Sequence, residues 1–170
     1  MRGFAFLLPA AACLVLALSA CGYRLRGQED STARSSVLGA GSRTLKFLTV
    51  EHPTVQTGLT YVIRSRLRDE ISARRLAVWK DSGTADLGLS VRMDSFRIEA
   101  YGQSREQNLL YTASLHIEFL IHDGRTNAVT WRSGLITHSE QYSNVNEETA
   151  MHEILQSAIR RGVDRMQRPF

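Results

Sequence analysis

The chain has 170 residues with 21 basic and 17 acidic side chains, a mild positive excess that suits an anionic surface and does not call for nucleic acid. That length fits one domain with its own core. The two cysteines, Cys13 and Cys21, both lie near the N-terminus, so the body after them has no internal disulfide and depends on packing.

Arg2 provides a short positive start, and Phe4 to Ala17 is an apolar run interrupted only by Pro9. A spanning helix needs about 20 apolar residues, so this shorter run reads as a signal peptide covering residues 1–20. It closes on Leu18-Ser19-Ala20-Cys21, which resembles the lipobox of bacterial lipoproteins. The motif implies cleavage before Cys21 and acylation of the new N-terminus, a membrane anchor in which each buried methylene contributes about 0.8 kcal/mol. Cleavage would leave 20 basic against 17 acidic side chains. Only Lys46 and Lys80 are lysines. The arginine bias is compatible with an anionic partner, and codon usage explains it as readily.

Residues 21–43 are rich in Gly, Ser, Arg and Gln and read as a lipidated, flexible tether, with Gly39-Ala40-Gly41-Ser42 as its clearest break. A single α+β domain is expected over 44–170. Thr44 to Val50 is a short strand with Leu45 and Phe47 on one face and Lys46 on the other. Thr57 to Arg75 is a helix whose Leu59, Val62, Ile63, Leu67 and Ile71 form a core-facing side, with Arg64, Arg68, Asp69 and Arg75 elsewhere around the cylinder. Leu76 to Lys80 fits either a short strand or a helix exit.

A longer strand starts at Ala85. Leu87, Leu89, Val91 and Met93 alternate with polar or small residues, then the apolar parity switches to Phe96, Ile98 and Ala100. A one-residue slip of this kind marks a β-bulge. Leu109 to His122 has the strictest alternation, with Leu109, Tyr111, Ala113, Leu115, Ile117, Phe119 and Ile121 on one face and Thr112, Ser114, His116, Glu118 and His122 on the other. Asp123-Gly124 marks a hairpin turn. Ala128 to Tyr142 is the returning strand, with Val129, Trp131, Leu135 and Ile136 expected to pack. The last element is a helix over Glu147 to Gln167, N-capped by Asn146. Its stripe of Met151, Ile154, Leu155, Ala158, Ile159, Gly162, Val163 and Met166 faces the core. Arg160, Arg161, Arg165 and Arg168 gather at its negative end, where the helix dipole favours them.

The order predicts an α+β two-layer sandwich: a roughly four-stranded mixed sheet with two helices on one face. The first helix would cross to a parallel neighbour and the next three strands would be antiparallel. The other face of the sheet would stay polar and open to water or a partner.

No nucleophile elbow, P-loop, dinucleotide fingerprint or H-E-x-x-H occurs, so no enzymatic activity and no cofactor are expected. A tight hairpin at 123–127 would set paired residues summing to about 250, placing His116 opposite Gly134 and His138 opposite Thr112. At about 3.3 Å per residue these histidines would stand roughly 13 Å apart, too far to share a zinc ion.

Cys21-Gly22-Tyr23-Arg24-Leu25-Arg26-Gly27 resembles the mature start of the lipopolysaccharide-assembly lipoproteins of the LptE family, and the strand–helix–three strands–helix layout is similar to theirs. The resemblance implies a lipoprotein of the outer membrane, facing the periplasm or a barrel lumen, in keeping with Gly22 rather than Asp after the cysteine. It implies a non-catalytic plug that helps assemble the LptD β-barrel and meets lipopolysaccharide during export. Basic residues of the loop between the two longest strands are linked to lipopolysaccharide in that family, which here points to Arg105, with Arg97 nearby. A second basic site expected before the last helix is replaced by Ser143-Asn144-Val145-Asn146-Glu147-Glu148, a departure that puts direct lipopolysaccharide binding in question. The rival reading is a stand-alone outer-membrane lipoprotein that binds a small ligand or peptidoglycan.

Overall fold

The computed structural model describes residues 36–53, 58–103, 109–143 and 147–168. The elements are β1 (Thr44–Glu51), α1 (Leu59–Ala73), β2 (Val78–Trp79), β3 (Leu87–Gln103), β4 (Leu109–Asp123), β5 (Val129–Arg132), β6 (Ile136–Ser143) and α2 (Glu147–Gln167). They form an α+β fold: one mixed sheet in the order β2-β1-β3-β4, with β5 and β6 both paired to the far side of β4. Strand β1 runs parallel to β2 and to β3, and every other pairing is antiparallel.

The sheet has six strands where four were expected, for two reasons. Val78 and Trp79 join β1 after the helix exit, as a strand of two residues. The returning strand breaks at Ser133-Gly134-Leu135, where Gly134 turns to φ 65° and the Ser133 hydroxyl accepts the Phe119 amide at 2.9 Å. That side chain replaces a ladder bond and divides the strand into β5 and β6. The break also exposes Leu135, and Val129 near the hairpin is exposed as well, while Ile136 is buried and Trp131 packs against the core as expected.

The parity slip in β3 is a bulge. Met93 pairs with Ile117 and Ser95 with His116, leaving Asp94 as the extra residue. It keeps Phe96 and Ile98 packed against the core on the same face as Met93. At the hairpin, Asp123 Oδ1 accepts the amides of Arg125 and Thr126 and the Thr126 hydroxyl, and Asn127 takes φ 57°. Gly124 donates to Asp86 O at 2.9 Å, and a Cβ there would lie 1.7 Å from Ala85 O, so only glycine lets the turn meet the start of β3.

One core lies between the sheet and both helices. Leu59, Ile63, Leu67 and Ile71 supply one buried residue per turn of α1. Helix α2 buries the whole expected stripe from Met151 to Met166. The core begins before β1. Leu38 is fully buried, Val37 N donates to Met166 O at 3.0 Å, and Gly41 N donates to Leu76 O at 2.7 Å. Residues 36–43, expected as the end of a tether, are therefore part of the packed body, because one leucine among the small polar residues closes the end of the core. Asn146 and Thr57, the expected helix starts, lie outside the described residues.

Candidate functional site

The two faces of the sheet differ completely. Both helices pack on the face of Leu89, Leu115 and Ile117. Among the described residues no helix or strand covers the other face. Its centre is an ion-pair network on neighbouring strands: Arg92 Nη2 lies 2.6 Å from Glu118 Oε2 and Arg132 Nη1 lies 4.0 Å from the same oxygen. Glu118 is buried on this face, as are its neighbours Ser90 and Leu120. Thr49 Oγ1 donates to Ser90 Oγ at 3.2 Å beside the network. Arg97, a predicted contact for lipopolysaccharide, is exposed on the same face, paired with Ser114 of β4. Arg105 and the predicted lipidation residue Cys21 lie outside the described residues.

The histidines do not converge, for a different reason from the one expected. Paired residues of β4 and β6 sum to 253, so His116 faces Thr137 and His138 faces Leu115. The extra residues enter through the irregularity at Ile121/His122 and through the break before β6. The two histidines are thus close in register but on opposite faces: His116 outward, His138 buried on the helix side. His138 Nε2 lies 2.9 Å from Glu140 Oε1, and the Tyr142 hydroxyl donates to Glu140 Oε2 at 2.6 Å. The Tyr142 bond holds the Glu140 carboxyl below its usual range, and burial, with Glu140 behind it, pushes the Tyr142 phenol up. Among the described residues no group of His, Cys, Asp and Glu has the arrangement of a metal site.

A second constellation sits at the opposite edge of the sheet. Phe47 of β1 and Trp79 of β2 stack with centroids 4.6 Å apart on the helix side, at the margin of the core. Arg64 and Arg68 of α1 lie over them, 5.5 Å from the Phe47 centroid and 5.2 Å from that of Trp79. Phe47, Arg64 and Arg68, with Lys46, Lys80 and Asp81, border a groove of about 360 Å³. Sequence reasoning separated Lys46 from Lys80. The parallel pairing of Leu45 with Trp79 brings them together, and the only signal for it was the ambiguous stretch 76–80.

No protein-family model matches this chain, and no curated protein matches it in sequence. Solved structures resemble it in fold. The PelC dodecamer from Paraburkholderia phytofirmans aligns at TM-score 0.48 and 13% identity over 75% of this chain and 89% of that one. A minor lipoprotein from Acinetobacter baumannii aligns at 0.47 and 11% over 73% and 90%. The rare lipoprotein B from Shewanella oneidensis aligns at 0.44 and 13% over 72% and 89%. Bacterial lipoproteins thus recur among these structures. Their TM-scores fall below 0.5.

Proposed function

We propose that this chain is an outer-membrane lipoprotein that sits inside the LptD β-barrel, supports its assembly for lipopolysaccharide export, and catalyses no reaction. One observation carries the reading: the lipobox-borne segment Cys21 to Gly27 precedes a body whose helices all pack on one face of the sheet, leaving the polar face without a covering layer among the described residues. A plug in a water-lined barrel needs such a body. The single core keeps it rigid, and the outward Arg92, Glu118, Arg132 and His116 suit a polar wall. The acylated Cys21 would hold the body at the membrane surface while the barrel closes around it. Among the described residues no helix is long and apolar enough to cross a membrane, so attachment in this reading rests on the lipid.

The test is a partner census. The chain is tagged at Phe170, outer membranes are solubilised in mild detergent, and proteins bound to the tag are identified by mass. A large β-barrel at near one-to-one stoichiometry is the expected result. A monomer without a barrel would overturn the reading in favour of a stand-alone lipoprotein.

A further inference from the structure

The groove at the β2 edge carries more charge than the fold needs. Arg64 and Arg68 are one helical turn apart, so both guanidiniums reach the same side of α1. Each is laid against an aromatic ring, which fixes its plane and leaves its N–H edge for a ligand. Lys46 and Lys80 alternate with Phe47 and Trp79 along their strands, so they rise from the opposite face of the sheet at the same edge. Arg68 is neutralised by Asp81, with Nη1 3.3 Å from Oδ2 and Nη2 on Oδ1. Arg64 and Lys80 have no ion-pair partner among the described residues, and Lys46 Nζ reaches only the Gly83 carbonyl, at 3.5 Å. Asp81 pairs with Arg68 and Asp86 attracts Lys80 without a direct bond, so two carboxylates answer four cations at this edge. Asp81 shows which chemistry fits: a carboxylate, forked on a guanidinium.

The backbone beside this groove is also unpaired. Val78 N donates to Arg43 O and Lys80 N to Leu45 O, both toward β1. By strand alternation the amide and carbonyl of Trp79 point away from β1, and among the described residues β2 has no neighbouring strand on that side. A large apolar side chain stands on the edge itself, Val78 at 56% exposure, and Tyr61 of α1, at 75%, borders the groove.

We infer that this edge docks an extended acidic segment of a partner protein, whose backbone pairs with Trp79 and whose carboxylates, alternating between the two faces, meet Arg64 on the helix side and Lys46 and Lys80 on the other. A free phosphate or a lipid headgroup would answer the cations and leave the strand edge and Val78 unused. A peptide answers all three, in the manner of strand addition with side-chain pockets. The inference does not depend on which protein supplies the segment.

The test places a photo-crosslinking amino acid at Val78 in the full chain, in living cells, and reads the adduct by mass spectrometry. The expected adduct is a peptide with two or more Asp or Glu within about six residues, the length of an ordinary strand. Lys80→Glu, an exposed change, and the double change Arg64→Glu with Arg68→Glu should each cut its yield about tenfold, the effect of losing about 1.4 kcal/mol. Exchanging the partner's acidic residues for arginine should restore the yield in the charge-reversed chain. A lipid adduct, a peptide without acidic residues, no adduct, or yields indifferent to charge reversal would each overturn the inference. An acidic segment from a protein that is not a β-barrel would sink the plug reading and leave this one standing.

Discussion

The two helices lie on the same sheet and relate to it differently. Helix α2 docks through a broad stripe, and Gly162 lets it close on β4: a Cβ there would stand 2.3 Å from Phe119 Cε2. Its C-terminal turn is also tied down, since Arg165 Nη1 donates to Ser133 O at 2.6 Å and Met166 O accepts from Val37. Helix α1 docks through a single seam of Leu59, Ile63, Leu67 and Ile71. It starts at Gly58 without a side-chain cap, and has no acidic residue in its first turn and no basic residue in its last. Its Arg64 and Arg68 flank lies over Phe47 and Trp79, which line the edge of the core. A broad apolar face commits α2 to stability. The seam is narrow, one flank of α1 is bonded to α2 through Arg66–Gln156 and Arg74–Asp164, and the flank of Arg64 and Arg68 is left over the aromatic rings.

If that division is right, the largest losses of stability come from the α2 contact. Phe119→Ala should cost about 3–5 kcal/mol in a urea melt, because a fully buried ring leaves a cavity between α2 and β4. Gly162→Ala should cost about 1–3 kcal/mol by overpacking against the same ring. The two sites touch, so Phe119→Leu combined with Gly162→Ala should cost less than the sum of the single changes, with a coupling of about 0.5–3 kcal/mol. Strict additivity would mean that the helix had moved off the sheet. On the α1 flank, Arg64→Ala should cost no more than about 1 kcal/mol, the scale of an exposed cation–π contact. A loss comparable to that of Phe119→Ala would break the division between the helices.

Acid acts on carboxylates at the ends of the sheet, besides Asp81 beside α1 and Glu140 on the helix side of β6. The Thr44 backbone N–H holds the Asp86 carboxyl low, and the Thr126 backbone N–H does the same for Asp123. Folded-state values below the unfolded ones mean stability that is present above about pH 4, the ordinary carboxylate range, and lost as pH falls through the depressed values. Thermal melts should therefore drop below about pH 4, and Asp86→Ala should flatten that drop while lowering the melting temperature at neutral pH. An unaltered acid limb in the variant would remove Asp86 from the account.

What the sequence revealed follows the range over which each feature is encoded. The bulge at Asp94 was legible because a change of parity between Met93 and Phe96 is written in adjacent residues. The bounds of α2 were legible because its stripe runs unbroken for the whole helix. Register across the hairpin was not, since the irregularity at Ile121/His122 and the Ser133–Gly134 break each add residues without disturbing the apolar pattern. That shift is what carried His138 to the buried face. Leu38 was missed because one leucine in a Gly- and Ser-rich stretch has no periodicity to show. The groove was least legible of all: Lys46, Arg64 and Lys80 come from three elements, and only parallel pairing of a strand of two residues gathers them.

The outer face allows the finest test. Arg97 is exposed, has no ion-pair partner among the described residues and sits beyond the Arg92–Glu118–Arg132 network. Arg97→Glu should change stability by less than about 0.5 kcal/mol, as a surface substitution away from any packed feature. Its informative readout is binding. If the uncovered face meets the phosphates of lipopolysaccharide, reversing this charge should weaken binding of purified lipopolysaccharide, and the loss should shrink at high salt, where exposed charges are screened. Equal binding by both proteins would separate the two surfaces: the outer face would then serve a protein wall alone, and the cationic groove on α1 would be the stronger anion site of the molecule.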